Sequence, residues 1–213
     1  MKNKINILGL GPGHPNYTLP ITKRIIENSE IIVGGKRNIN SINTKEKKVF
    51  FIKTPLIETI EFIKENYKNS ILSVVVSGDS GFYSLTPYIK KHFMEEEIDI
   101  YPGISSIQYL FAKIGKTWED ANLISMHGRE EKLLSAVKNN SKVGVLTDDV
   151  WTPDKIAKKL IKHGLKEKKI YIGENLSYDN EEIYKMDLIE CAEKRFLKFN
   201  FRKEAPYCYL GAC

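Results

Sequence analysis

Apolar side chains fall into two alternating patterns along this chain: short unbroken runs, and longer stretches in which they return every third or fourth position. The first pattern suits strands buried on both faces, the second amphipathic helices. "INILGL" at 5–10 reads as a buried strand, "TLPITKRIIENS" at 18–29 as a helix capped by Thr18, and "EIIVGG" as a second strand. "VFFI" at 49–52, "LIETIEFIKENY" at 56–67 and "ILSVVVSG" at 71–78 continue the order, with Ile57, Ile60, Phe62 and Ile63 as the helix's buried stripe. The unit "GFYSLTPYIKKHF" and the strand "IDIYPG" complete it. Such alternation predicts a parallel sheet with helices on its faces.

After the helix "SSIQYLFAKIG" a polar connector, "KTWEDA" at 116–121, precedes a restart of the pattern in "NLISMHG", "KVGVLTD", "TPDKIAKKLIKHG" and "KIYIGENL". Two α/β domains are therefore expected, 1–115 and 116–213. From about residue 181 the text alternates instead, in "EEIYKMDL", "KFNF" and "YCYL", which predicts antiparallel strands finishing the second sheet.

Composition narrows the class. With 213 residues, 42% hydrophobic and 28% charged, the chain can bury one substantial core or two modest ones. Its longest apolar runs, "VFFI" and "VVV", fall far short of the about 20 residues that span a bilayer. A cytoplasmic protein with no membrane partner is expected. Cys191, Cys208 and Cys213 are odd in number and lack C-x-x-C spacing, so neither a disulfide framework nor a zinc site is supported. The net charge of +6 is spread among many acids, which argues against a nucleic-acid partner and equally suits a polyanionic small molecule or a solvated lysine-rich surface. No His, Cys or carboxylate cluster has metal-ligand spacing, and no bound metal is expected.

The stretch "NILGLGPGHP" suggests a nucleotide loop, but its chemistry does not fit one. Gly9, Gly11 and Gly13 give G-x-G-x-G, His14 stands where the dinucleotide fingerprint needs its third glycine, and the second strand ends in Gly34, Gly35 and Lys36 rather than an acid. Pro12 and Pro15 keep the following helix's amides away from the strand end. "GGKR" is no ATP loop either, because Glu30 and Arg37 occupy the positions of the leading glycine and the hydroxyl residue. What is left is a glycine-permitted turn beyond a strand's carboxyl end, where α/β proteins place ligands.

Four more segments stand at strand ends and join small residues to hydroxyls or amides: "SGDSGFY" (77–83), "YPGISSIQ" (101–108), "SMHGRE" (125–130) and "ENLSY" (174–178). With "GLGPGHP", "VGGKR" and "LTD" they resemble the tetrapyrrole methylases, S-adenosylmethionine-dependent enzymes of sirohaem and cobalamin synthesis, and most closely the branch that methylates C5 of a corrin precursor. The seven motifs cover nearly the whole length, each weak alone and specific together; Ser80 departs from the family's usual proline.

The resemblance implies two α/β domains with a ligand cleft between them and S-adenosylmethionine as methyl donor. Carried over motif by motif, the donor would meet Pro12, Ser77, Gly78, Asp79, Phe82, Ser105, Ser106, Leu146, Thr147 and Leu176. Gly11 and Gly13 would border the substrate, and Lys36, Arg37 and Arg129 would meet its carboxylates. A sulfonium is already activated, so positioning and exclusion of water are the main demands, with a base to take a proton. His127 is the candidate base, weighed against a neutral histidine hydrogen-bonded at a strand end; Asp79 is weighed as a carboxylate that only forms a turn. The implied partners are a cobalt-precorrin substrate, a separate C15-methylating decarboxylase, and a second copy in a homodimer. Another activity of the superfamily, such as a different ring position or ribosomal RNA ribose methylation, is the first alternative. A non-enzymatic nucleotide-binding module is the second.

Overall fold

The computed structural model describes residues 3–127, 132–194 and 207–211. The chain divides into two compact units, Met1–Ser105 and Ser106–Cys213.

In the first unit the elements run β1 (Ile5–Gly9), α1 (Pro20–Asn28), β2 (Ile31–Gly34), α2 (Lys36–Asn40), β3 (Lys48–Phe51), α3 (Ile57–Asn66), β4 (Leu72–Val76), α4 (Thr86–Ile89) and β5 (Ile98–Tyr101). The sheet order is β3-β2-β4-β1-β5, and every pairing is parallel. All five residues of β4 are buried, as an apolar, β-branched strand covered on both faces requires. Its one polar side chain, Ser73, is matched by the Ser29 hydroxyl at 2.7 Å.

Two local expectations are corrected. Thr18 does not cap α1; its hydroxyl donates to the Leu10 carbonyl at 2.8 Å, and Pro20 opens the helix without an amide that needs a cap. Along α3, Ile60 and Ile63 are buried but Ile57 is 41% exposed, because it lies in the first turn, before the helix settles on the sheet. Within the unit "GFYSLTPYIKKHF" the α-helix is α4, and the loop after β4 occupies the first residues.

The second unit runs α5 (Ser106–Lys113), β6 (Asn122–Ser125), α6 (Lys132–Asn139), β7 (Lys142–Leu146), α7 (Pro153–Lys162), β8 (Lys169–Glu174), β9 (Glu182–Asp187), α8 (Leu188–Glu193) and β10 (Tyr207–Gly211). Its sheet order is β6-β7-β10-β8-β9, with β6 parallel to β7 and the remaining pairs antiparallel. The last strand is thus inserted at the centre. "KFNF" lies outside the described residues.

The division falls ten residues before the expected boundary at 116, because α5 packs on the second sheet. A Cβ on Gly144 of β7 would come within 3.0 Å of Ile107, and one on Gly173 of β8 within 3.0 Å of Leu110. A helix this close to β7 and β8 folds with them. α7 buries Ile156, Ala157 and Leu160 and leaves Lys155, Lys158 and Lys162 exposed.

Among the described residues no helix is long and apolar enough to cross a membrane. The Thr22 hydroxyl of α1 and the Thr59 hydroxyl of α3 are buried without a hydrogen-bond partner. Replacing either by Val removes an unmatched polar group at nearly constant shape, so urea melts should show each variant gaining about 1 kcal/mol.

Candidate active site

Because the first sheet is wholly parallel, the loops after β4, β1 and β5 leave from one edge, the edge at which α/β proteins bind ligands. Three glycines let those loops meet. Added Cβ atoms would place Gly9 2.7 Å from the Gly103 nitrogen and 2.8 Å from the Gly78 carbonyl, and Gly103 only 2.2 Å from that same carbonyl. No side chain fits at either position. Gly11 and Gly78, at φ 85° and 65°, then exchange two backbone hydrogen bonds of 3.1 and 2.8 Å.

Side chains complete the clasp. Asp79 accepts the Gly81 amide on one carboxylate oxygen at 2.9 Å and the Gly103 amide on the other at 3.0 Å. One oxygen thus closes the turn within the β4 loop, the turn-forming alternative for this residue, and the other joins that loop to the β5 loop. Ser80, in place of the family's proline, is 1% exposed, and its hydroxyl donates to the Tyr101 carbonyl at 2.8 Å. The Ser80 carbonyl in turn accepts the hydroxyls of Thr86, at 2.6 Å, and of Ser84. Here hydrogen bonds fix the corner that a proline ring would otherwise stiffen.

The other first-unit candidates gather at this edge. Pro12 and Gly11 are buried and Gly13 is half-buried at φ 148°. Ser77 is exposed and donates to the Asn38 amide oxygen at 2.7 Å, which places α2 beside the β4 loop. Lys36 and Arg37 lie in the first turn of that helix, Lys36 exposed and Arg37 half-buried. The Phe82 ring meets Tyr83 edge-on at 4.7 Å, and Ser105 is buried at the end of the first unit; Ser106, also buried, opens α5 in the second unit. None of the three loops, 9–15, 77–82 and 101–106, contains Lys or Arg. Hydroxyls and backbone groups without a fixed cation suit a neutral nucleoside or a sulfonium better than a phosphate.

In the second unit β10 is antiparallel to both β7 and β8, so β6, β7 and β8 all end at one edge. Leu146 and Gly173 stand level there, each opposite Tyr207. Thr147 is 1% exposed. Leu176 is 2% exposed and packs on Gly173, which leaves its side chain little surface for a ligand. His127 is exposed at the end of β6, its Nδ1 3.4 Å from the Ser125 hydroxyl. Arg129 lies outside the described residues.

Sequence reasoning missed Asn38, which holds Ser77, and Glu181, which accepts the Ser177 amide at 2.6 Å. Neither stands in a recognisable motif. It also passed over Glu174 as a titrating group. Burial, reinforced by Glu182 directly opposite on β9 and only partly offset by Lys194, raises the Glu174 carboxyl to about 7.

These motifs and this double α/β architecture define a ligand-binding enzyme of the methylase type. The family model Tetrapyrrole (Corrin/Porphyrin) Methylases matches residues 4–192, and the chain belongs to that family. It is 38% identical over 199 residues to the probable cobalt-precorrin-7 C(5)-methyltransferase of Methanocaldococcus jannaschii, covering 90% of this chain and 93% of that one. With the cobalt-precorrin-7 C(5)-methyltransferase of Salmonella typhimurium it shares 31% over 180 residues, 84% of this chain and 89% of that one. The crystal structure of the precorrin-6Y methylase from Archaeoglobus fulgidus has the same fold, with a TM-score of 0.73 and 20% identity over 99% of this chain and 98% of that one.

Two outcomes follow from the geometry. Gly103→Ala forces a Cβ against backbone that cannot yield, and denaturant melts should show a loss of about 1–3 kcal/mol. Glu174 binds its proton more tightly folded than unfolded, so its ionisation costs stability as pH rises from the unfolded value of 4.5 through about 7, and the full cost is present above that. Thermal melts of Glu174→Gln should match the parent below pH 4.5 and rise above it progressively up to about pH 7.

Proposed function

We propose that the chain transfers the methyl group of S-adenosylmethionine to C5 of a cobalt-precorrin-7-type corrin in cobalamin synthesis. Its principal support is the 38% identity with the Methanocaldococcus jannaschii relative along 90% of the chain. The loop edge of the first unit adds a chemical reason, since it offers hydroxyls and backbone groups but no Lys or Arg to a donor whose sulfur is cationic.

The donor supplies an electrophilic methyl, which leaves with no electrons while the carbon–sulfur pair stays on sulfur. The protein's share is placement. Ser77, Gly78, Phe82, Ser105 and Ser106, with Pro12 from the first loop and Leu146, Thr147 and Leu176 from the second unit, hold the donor in this proposal. Asp79 acts by fixing the loops, because both its oxygens are taken by the amides of Gly81 and Gly103. Gly11 and Gly13 border the corrin, and Lys36, Arg37 and Arg129 attract its carboxylates, a use for the net charge of +6. His127 takes the proton that the methylated carbon framework must lose. A separate enzyme performs the C15 methylation and decarboxylation, and the chain works as a cytoplasmic homodimer.

Calorimetry with S-adenosylhomocysteine, with NAD and adenosine as controls, tests the donor site. Selective micromolar binding, about 8 kcal/mol, is expected. Incubation with S-adenosylmethionine and the cobalt-precorrin should then add one methyl group and release no carbon dioxide. A folded protein that binds the three ligands alike would sink the proposal, and His127→Ala with undiminished kcat would remove the histidine from it.

A further inference from the structure

The "ENLSY" turn after β8 follows an uncommon backbone path. Asn175 and Ser177 both take left-handed angles, φ 51° and 75°. Asn adopts this region with local help from its side chain, whereas Ser does so less readily, and such residues persist only where their surroundings fix them. The Asn175 side chain donates to the Asn180 carbonyl at 3.3 Å, and the Tyr178 amide donates to the Asn175 carbonyl at 3.0 Å, closing the loop on itself.

The tie that reaches beyond the loop is Glu181. One carboxylate oxygen accepts the Ser177 amide at 2.6 Å, and the other faces the Lys113 ammonium at 2.9 Å. Tyr109 adds a side-chain hydrogen bond to the same carboxylate. Tyr109 and Lys113 are four residues apart on α5, one above the other on the same face, so a single carboxylate spans a full helical turn. Burial pushes the Glu181 carboxyl up, but the Ser177 amide, Tyr109 and Lys113 together outweigh it and hold the group below the usual carboxylate value. Its side chain is 16% exposed, which shields the ion pair from much of the screening that weakens surface pairs.

Packing reinforces the same join. Gly173 is crowded by Leu176 from the turn and by Leu110 from α5, with added-Cβ distances of 2.6 and 3.0 Å. The helix that receives these contacts opens at Ser106, in the "PGISS" segment assigned to the donor site. Two motifs about 70 residues apart in sequence are therefore set against one helix.

We propose that Glu181 is a positioning residue for donor binding. It touches neither donor nor corrin; it fixes the Asn175–Ser177 turn on α5, so that Leu176 and the backbone of the turn keep a constant separation from Ser106. A carboxylate suits this place because its two oxygens, with lone pairs to spare, serve an amide, a phenol and an ammonium together. The inference rests on the donor-site assignment under Proposed function.

Calorimetry with S-adenosylhomocysteine on the parent, Glu181→Ala and Glu181→Gln proteins tests it, followed by methyl-transfer kinetics. Glu181→Ala should bind the ligand at least tenfold more weakly and raise the KM for S-adenosylmethionine to match, with kcat and the corrin KM within threefold of the parent. Glu181→Gln keeps one acceptor and loses the charge, so its affinity should fall about three- to fivefold, between the parent and Glu181→Ala. Should Glu181→Ala fail to fold, Glu181→Gln decides alone: a measurable weakening supports the role, and parent affinity overturns it. A folded Glu181→Ala protein with parent affinity overturns the positioning role only, whereas a parent protein that binds no S-adenosylhomocysteine overturns both this inference and the donor site.

Discussion

Backbone meets backbone, with no side chain between, where Gly9, Gly78 and Gly103 close the ends of β1, β4 and β5. Three loops cannot share so small a space if Gly9 or Gly103 carries a Cβ, and the rest of the first unit's loop edge follows from that contact. It brings Gly11 and Gly78 close enough to exchange amide hydrogen bonds, and it puts the Gly103 amide within reach of Asp79. The strands below can be rigid because β1 and β4 are apolar nearly throughout and lie inside the sheet. A parallel sheet sends all its carboxyl ends to one side, so rigidity in the strands becomes precision in the loops.

Three carboxylates show how environment divides the work of one functional group. Asp79 accepts two backbone amides and so acts as a mechanical link between loops. Glu181 accepts an amide, a phenol and an ammonium, and those donors overcome the cost of its burial. Glu174 is buried opposite another glutamate, and there the cost of burial dominates and raises its carboxyl toward neutrality. The same burial that strengthens a well-supplied carboxylate penalises one whose neighbour bears like charge.

The second unit reaches a similar edge by a different route. Its central strand, β10, comes last in the chain and runs against both neighbours, which makes β7 and β8 parallel although they do not pair with each other. Leu146 and Gly173 are brought level by this late strand rather than by their own sequence neighbours. In the first unit the comparable alignment exists as soon as β1, β4 and β5 pair.

Much was legible in the sequence because its signals are local. Strand and helix alternate in the apolar pattern, the period-two alternation from about 181 announces antiparallel pairing, and seven short motifs mark the strand ends and carry the family resemblance. The motifs also marked Asp79, Ser105 and Ser106 as residues that matter. Whether a motif residue binds or braces depends on neighbours that only folding supplies. Asp79 became a brace because Gly103, 24 residues on, turned its amide toward it. Leu176 packs against Gly173, where no side chain stands in its way, and α5 joined the second unit because Ile107 and Leu110 fill the space over Gly144 and Gly173. Asn38 and Glu181 carry no sequence signal at all, since a hydrogen bond across 39 residues or an ion pair across 68 is a property of chain topology rather than of composition or spacing.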